Sequence, residues 1–278
     1  MSAPAPAPIP APIEQAANQL ELSAPAFILA LLDSASDVEI RAASLVAAAA
    51  AFAIDPRTIR VALARLVQKG VLQAVGRGIY RAGTSGGPMQ RAVVSWANAE
   101  ASLKTWDGGW IAVAQSQGNR YNKTAMRANE RALRIKGFKT AEPGLAVRPA
   151  NLRTTLSETR DTLVELGLHP DARLMLVTAT AGGSDFANLW SAAQLEAGYR
   201  QHLNAMADST ARVPRLNAVD AAKETLLVGR AVTRDIVLDP LLPDALVDAG
   251  LRRRMIKAME KYDRLGKRCW RTFYAVQA

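Results

Sequence analysis

Residues 57–68 combine arginines with a glutamine and small apolar side chains at spacings that suit the recognition of DNA bases. Arginine can donate two parallel hydrogen bonds to guanine, glutamine can pair with adenine, and a valine methyl can contact the methyl group of thymine. At about 100° per residue, the side chains that share or flank one helix face are Arg57, Thr58, Arg60, Val61, Ala64, Arg65 and Gln68. We expect this face to enter a major groove.

The helix that must carry this face has a recognisable start, a buried side and an end. Asp55-Pro56 predicts its beginning, because aspartate is a favoured N-cap and proline fits the first turn. Gly70 predicts the end of this helix, because glycine is favoured at the position that follows the last helical turn. Apolar residues at i, i+4, i+7 and i+8 form the side that faces the core: Ile59, Leu63, Leu66 and Val67.

Two further helices are expected before this one. The first is predicted over Pro25 to Leu32. The sequence Ser36-Asp37-Val38-Glu39 has the S-x-x-E spacing of a capping box, which predicts a second helix running to about Phe52.

A β-hairpin is expected after the third helix. Two β-prone runs, Val71–Val75 and Ile79–Arg81, are joined by Gly76-Arg77-Gly78. Three helices followed by a hairpin predict a winged helix-turn-helix. Arg77 at the tip would reach a phosphate or the minor groove, and Arg81 a phosphate. The alternatives are a solvated basic face, or a winged helix that binds protein or RNA.

Residue types for catalysis and metal binding are scarce. The sequence has one cysteine, Cys269, and two histidines, His169 and His202. They cannot supply an internal disulfide or a His/Cys metal cluster, and a G-x-x-x-x-G-K-[ST] phosphate loop is absent. We therefore expect no catalytic residue, no metal and no cofactor, and a protein that is not an enzyme.

Composition indicates a polyanionic partner. The 278 residues are 49% hydrophobic, which is enough for a sizeable core, and the formal net charge is +10. A basic excess of this size favours nucleic acid, with an anionic membrane surface or metabolite as the alternative. Because a secretory signal and a membrane-spanning run are not evident and cysteine is rare, we expect a cytoplasmic protein without a membrane partner.

Pattern changes along the chain suggest a five-part α+β organisation. Residues 1–19 form a Pro/Ala-rich arm expected to be disordered, 20–83 the winged helix, and 84–105 a linker with a connecting helix. Residues 106–181 have the order strand, helix, two strands, helix, strand, which is typical of a ferredoxin-like domain. Residues 182–278 are expected to form a helical C-terminal domain for ligand sensing and dimerisation.

Four groups of motifs follow one another along the chain. The first is the pattern R-x-A-L-x-R-L-x-x-x-G at Arg60–Gly70. The second combines Trp106-Asp107-Gly108-Gly109-Trp110, Arg131-Ala132-Leu133, Gly137-Phe138 and Gly144–Pro149. The last two are Leu189-Trp190 with Tyr199 downstream, and Arg234–Pro243. In this order the four groups resemble the PaaX-like repressors of phenylacetic acid degradation, whose recognition helix has the first pattern.

The resemblance implies a winged helix, a middle domain similar to the Cas2 fold and a helical C-terminal domain. It also implies a homodimer that binds an inverted repeat in double-stranded DNA and is released by an aryl-CoA thioester. Where such proteins carry a Trp-Pro-Gly element, this chain reads Val247–Gly250. This difference leaves three alternatives open: another CoA thioester, a free aromatic acid, or no effector. Candidate ligand contacts are Trp106, Trp110, Arg148, Trp190 and Arg234.

Each of these residue groups has a structural alternative. Two large aromatic side chains so close together most often pin a strand into a core, and this is the favoured alternative for Trp106 and Trp110. Arg148 would otherwise pair with Asp161 or another acid. The run Arg252-Arg253-Arg254 suits CoA phosphates, a DNA backbone or a solvated helix start. Metal-dependent cleavage by a Cas2-like domain is disfavoured, because the first strand ends in Val113-Ala114-Gln115-Ser116 without a carboxylate.

Overall fold

The structure, a computed structural model, describes residues 23–34, 39–83, 96–115, 123–181 and 185–277. These residues contain eight α-helices and two antiparallel sheets, so the α+β class expected from the sequence is confirmed. The Pro/Ala arm, the start of the S-x-x-E motif and the linker after residue 83 lie outside the described residues.

The chain divides into two compact units. Unit 1 combines Met1–Gly87, His202–Thr233 and Lys257–Ala278, and unit 2 combines Pro88–Gln201 and Arg234–Ile256. Each unit therefore draws on more than one stretch of sequence. The five-part division by sequence stays a prediction.

Unit 1 begins with three helices and a short strand. The helices are α1 (Ala24–Ser34), α2 (Ala42–Ala50) and α3 (Pro56–Gln68), and strand β1 (Ile40–Arg41) comes between the first two. The predicted second helix is correct in kind but wrong in its start. Ile40 pairs with Tyr80 in a sheet and is buried, so Ile40 and Arg41 are extended and the helix begins only at Ala42.

A three-stranded sheet closes the N-terminal part of unit 1. Strands β2 (Leu72–Gly76) and β3 (Ile79–Ala82) form the predicted hairpin, and the strand order is β1-β3-β2. Gly70 follows α3 with a φ of 67°, a conformation that glycine adopts without strain, and so turns the chain into β2.

Three long helices lie in the C-terminal part of the chain: α6 (Ala192–Arg212), α7 (Ala218–Val237) and α8 (Ala249–Gln277). In unit 1, parts of α7 and α8 pack on the N-terminal helices. Phe27, Leu45 and Ile59 are fully buried there together with Trp270 and Phe273. This shared core fixes the orientation of α3 within unit 1.

Unit 2 contains all the strands and helices expected for residues 106–181. In order they are β4 (Trp110–Ala114), α4 (Lys123–Ile135), β5 (Lys139–Glu142), β6 (Leu145–Pro149), α5 (Leu156–Leu166) and β7 (Arg173–Val177). The sheet order is β5-β6-β4-β7, with every pair antiparallel. Helices α4 and α5 contribute Leu133 and Leu163 to a core that covers the sheet residues Ile111 and Val113.

Candidate nucleic-acid interface

Helix α3 is held by the local features that predict it. Asp55 is the N-cap, and its Oδ1 accepts a hydrogen bond from the Arg57 backbone N–H at 2.6 Å. Ile59 and Leu63 are buried, as are Ala62 and Leu66. The inward stripe therefore agrees with the pattern, except that Val67 is only half-buried and Ala62 takes part.

The opposite side of α3 faces outward. All the side chains proposed for base contact are exposed: Arg57, Thr58, Arg60, Val61, Ala64, Arg65 and Gln68. Val61 has 51% of its surface exposed, which is unusual for a large apolar side chain in this protein. A small apolar patch flanked by cations fits a groove floor better than it fits bulk water.

Positive charge on this face is not neutralised by nearby acids. Across the described ranges, Arg57, Arg60 and Arg65 form no salt bridge. Their guanidinium groups therefore remain available to phosphates or base edges.

The hairpin adds two further cations. Arg77 is exposed in the turn between β2 and β3. Arg81 is exposed on β3, where its Nε and Nη2 donate to Gln73 Oε1 at 3.0 Å and 2.8 Å. Arg81 is thus held in one position by a neighbouring strand, whereas Arg77 projects from the turn.

In unit 2, three of the five candidate ligand residues come together in an aromatic cluster. The ring of Trp110 lies edge-on to Trp106 at 5.3 Å and parallel to Trp190 at 5.9 Å, and Phe186 completes the group at 5.5 Å. Trp106 Nε1 donates to the Gly109 carbonyl at 2.6 Å. Trp190 Nε1 is buried and has no hydrogen-bond partner among the described residues.

A cavity of about 610 Å³ lies next to this cluster. Leu133, Phe138 and Trp190 line it and are buried, while Arg134 and Lys139 line it and are exposed. Its volume is in the range of small-molecule sites. Trp190 is the one candidate ligand residue on its wall.

Arg148 and Arg234 lie apart from that cavity wall. Arg148 is buried and donates to the carbonyls of Lys136, Pro149 and Pro240, and to Asn151 Oδ1. Burial lowers the pKa of Arg148 to about 10, and Asp239 partly offsets this. Arg234 is exposed and pairs with Asp235 at 2.8 Å. The contacts of Arg148 join β6 to the segment after α7, so its guanidinium group is engaged within the protein.

A buried ionic cluster was missed by sequence reasoning. Arg252 is 1% exposed, and its Nε lies 2.7 Å from Glu100 Oε1 while its Nη1 lies 3.8 Å from Asp239 Oδ1. Tyr199 donates its hydroxyl to Asp239 at 2.6 Å. Burial raises the pKa of Asp239 and, with Asp239 as the second cause, that of Tyr199. The expectation of a solvated or anion-binding Arg252 is therefore wrong, whereas Arg253 and Arg254 are exposed.

The part of the chain that the structure describes contains no group of three or more His, Cys, Asp or Glu residues that could hold a metal ion. None of its helices combines the length and the apolar character needed to span a membrane.

Comparisons with known proteins bear on the fold and on the N-terminal part. A solved structure of the uncharacterized protein Rv0674 from Mycobacterium tuberculosis is similar, with a TM-score of 0.55 and 23% identity, over 89% of this chain and 100% of that one. At this identity the similarity shows the fold alone. No curated protein matches the sequence. Residues 23–83, which carry the three helices and the hairpin, match the family model of the PaaX-like protein, and this confirms the PaaX-like resemblance of the chain over that segment.

Proposed function

We propose that this protein is a DNA-binding transcriptional regulator in which α3 reads bases in a major groove. One observation carries the proposal. The arginines of α3 point outward and form no salt bridge among the described residues, while the opposite face of the helix is packed against the core. Major-groove recognition needs a helix that is rigidly held and whose exposed side bears donors for base edges. Arg57 and Gln68 supply such donors, and Val61 supplies an apolar contact.

The remainder of the N-terminal part supports a winged helix. Helices α1 to α3, the sheet order β1-β3-β2 and a basic turn at Arg77 are the parts that such a domain requires. Arg77 would contact a phosphate or the minor groove, and Arg81 a phosphate. The match of residues 23–83 to the PaaX-like model favours transcription regulation over protein or RNA binding.

Two copies would bind an inverted repeat. A homodimer places two recognition helices in successive major grooves, about one helical turn or a multiple of it apart. On the resemblance to PaaX-like proteins, the role would be that of a repressor in aromatic-compound catabolism, of which phenylacetic acid degradation is the expected case.

A small effector would release the DNA. Residues 106–181 would form the ferredoxin-like, Cas2-like domain, and the cavity beside Trp190 would receive the effector. Its buried Leu133 and Phe138 suit an apolar or aromatic group, and its exposed Arg134 and Lys139 suit an anionic one. An aryl-CoA thioester combines both features. Such a ligand acts only through its difference in affinity for the two states of the regulator.

DNA binding is tested by fluorescence anisotropy with duplexes from upstream of the protein's own coding region and shuffled controls of the same composition. We expect one upstream duplex to bind at least about 10³-fold more tightly than its shuffled control. Its affinity should fall steeply with salt as phosphate contacts are lost. Equal affinity for every duplex, or tighter binding to RNA, would overturn the proposal.

The effector is tested by a thermal-shift screen of acyl-CoAs and free aromatic acids, followed by anisotropy with the bound operator. We expect one aryl-CoA thioester to raise the melting temperature and to lower operator affinity. Stabilisation without any change in operator affinity would contradict the release mechanism and leave DNA binding intact.

A further inference from the structure

The outer face of α8 in unit 1 carries a row of exposed cations, here called the basic stripe. Its members are Lys257, Lys261, Arg264, Arg268 and Arg271. Their spacings of four, three, four and three residues keep them within about 80° of one helix face. The stripe is about 21 Å long at about 1.5 Å per residue.

The other face of α8 is packed into unit 1. Met259, Tyr262, Trp270 and Phe273 are buried, and Tyr262 shares a hydrogen bond of 2.6 Å with Ser209. These residues lie about half a helix turn away from the stripe. The basic stripe therefore faces solvent along its whole length.

Neither acid of α8 forms a salt bridge with the stripe, although Glu260 lies at its edge, three residues after Lys257 and four before Arg264. The helix has nine Lys and Arg residues against two acids, Glu260 and Asp263. Asp263 pairs with Lys267 at 2.8 Å, and Lys267 lies beside the stripe rather than on it. Within the described ranges, the five stripe residues form no salt bridge.

Such a row costs helix stability, because like charges three and four residues apart repel. A merely solvated face is usually mixed in sign, as the Asp263–Lys267 pair is on the flank of the stripe. The stripe also lacks an aromatic side chain on which an unpaired base could stack. Its chemistry therefore fits the phosphates of a duplex rather than single-stranded bases or an apolar partner.

We propose that the basic stripe binds the sugar–phosphate backbone of duplex DNA outside the segment that α3 reads. The inference rests on the proposed function and adds a second, sequence-independent contact to it. Phosphates follow one another every 3.4 Å of duplex axis on each strand, so a 21 Å row can follow about six of them. Lys and Arg neutralise phosphates without reading sequence.

The test compares two variants of the full chain that lose the same charge. The stripe variant replaces the five residues by Gln: Lys257→Gln, Lys261→Gln, Arg264→Gln, Arg268→Gln and Arg271→Gln. The control variant replaces five other exposed cations: Lys104→Gln, Lys123→Gln, Arg127→Gln, Arg131→Gln and Arg173→Gln. Both lower the net charge from +10 to +5, since five positive charges are removed in each.

Anisotropy measures the slope of log affinity against log salt on a duplex that extends about 15 base pairs beyond the operator on each side. We expect the stripe variant to reduce the slope by about 2 to 4.5, since each phosphate contact contributes about 0.9. The ratio of its affinity for operator DNA to its affinity for shuffled DNA should be unchanged, because phosphate contacts carry no sequence information. The control variant should keep the wild-type slope.

The outcomes separate this inference from the proposed function. If the wild-type chain binds no duplex, both fail. If the wild type binds specifically and the stripe and control variants have equal slopes, the stripe inference alone is wrong. If the five substitutions together disturb folding, the double variant Lys261→Gln with Arg264→Gln is measured instead. A slope of log affinity against log salt equal to that of the wild type would then also overturn the inference.

Discussion

Arg252 provides a sharp test of the structure of unit 2. Its side chain is 1% exposed, and Arg252→Ala removes three contacts at once: Glu100 at 2.7 Å, the Leu242 carbonyl at 2.8 Å and Asp239 at 3.8 Å. The side chain of Asp239 is 3% exposed, so its charge would lose its salt-bridge partner inside the protein, while the charge of Arg148 would remain nearby. Removal of one partner from a buried pair typically costs about 3–5 kcal/mol.

The neighbouring Arg253 is a matched control. Its side chain is 52% exposed and lies 3.4 Å from Asp244, which is 71% exposed. Exposed pairs of this kind contribute about 0–1 kcal/mol. Substitution of the two adjacent arginines should therefore change the free energy of unfolding by amounts that differ by several kcal/mol.

Denaturant unfolding followed by tryptophan fluorescence measures this difference. Four of the five tryptophans, all but Trp270, belong to unit 2, so the signal reports mainly on that unit. A loss of less than about 1 kcal/mol for Arg252→Ala, or losses that are equal for the two variants, would refute the buried cluster.

The effect of Arg252→Ala should also depend on pH. Burial raises the pKa of Asp239, and the charge of Arg252 partly lowers it again. Without Arg252 the folded-state pKa of Asp239 rises further above its value in the unfolded chain. A group with a raised folded-state pKa favours folding when protonated and loses that contribution as pH rises through the folded pKa. The variant's deficit should therefore shrink towards about pH 4 and grow towards neutral pH; a deficit that grows on acidification would contradict this assignment.

Two further substitutions test the elements that position the sites. Asp55→Ala removes the N-cap of α3 and should lower the free energy of unfolding by about 1 kcal/mol. The first amides of α3 should then exchange hydrogen faster than in the wild type. Unchanged exchange would argue against this cap. Gly137→Ala places a Cβ 2.7 Å from Pro240 Cα at a residue with a φ of 73°, and should cost at least about 1 kcal/mol in denaturant unfolding. Wild-type stability of this variant would contradict the close approach.

The outward face of α3 was predictable because its signals are local. The Asp55 cap, the adjacent Pro56, and apolar spacing from Ile59 to Leu66 all lie within one short segment, and the structure has the expected helix there. Exposure of Arg57 and Gln68 follows from geometry once the opposite side is buried.

Non-local partners account for what the sequence did not show. Strand β1 has only Ile40 and Arg41, too few residues for an alternating pattern, and depends on pairing with β3 about 40 residues later. Arg252 is buried because Glu100, 152 positions earlier in sequence, lies beside it. Helical spacing places Arg252 nearer than Arg253 to the apolar side of α8, but no local pattern identifies the distant acids that pair with it.

Helix α8 has one feature that its local sequence predicts and one that depends on non-local contacts. A helix from Leu251 to Leu265 is predicted from the apolar spacing, with one buried side: Leu251, Met255, Ala258, Met259, Tyr262 and Leu265. Four of these residues are buried, whereas Ala258 and Leu265 are half-buried. The helix continues to Gln277, past the predicted end near Leu265, because Trp270 and Phe273 pack into the core of unit 1. The basic stripe occupies the side opposite this packing, so it follows from the same periodicity once the full length of the helix is known.

The central claim is that the outer face of α3 reads bases, and Arg57 tests it most directly. The measurement is the affinity of Arg57→Ala for the operator and for shuffled DNA, beside Arg127→Ala as an exposed arginine on α4. We expect Arg57→Ala to weaken operator binding by about 1–3 kcal/mol, or roughly 5-fold to 150-fold, with little loss on shuffled DNA and no change for Arg127→Ala. Equal losses on operator and shuffled DNA, or no loss on either, would contradict the account.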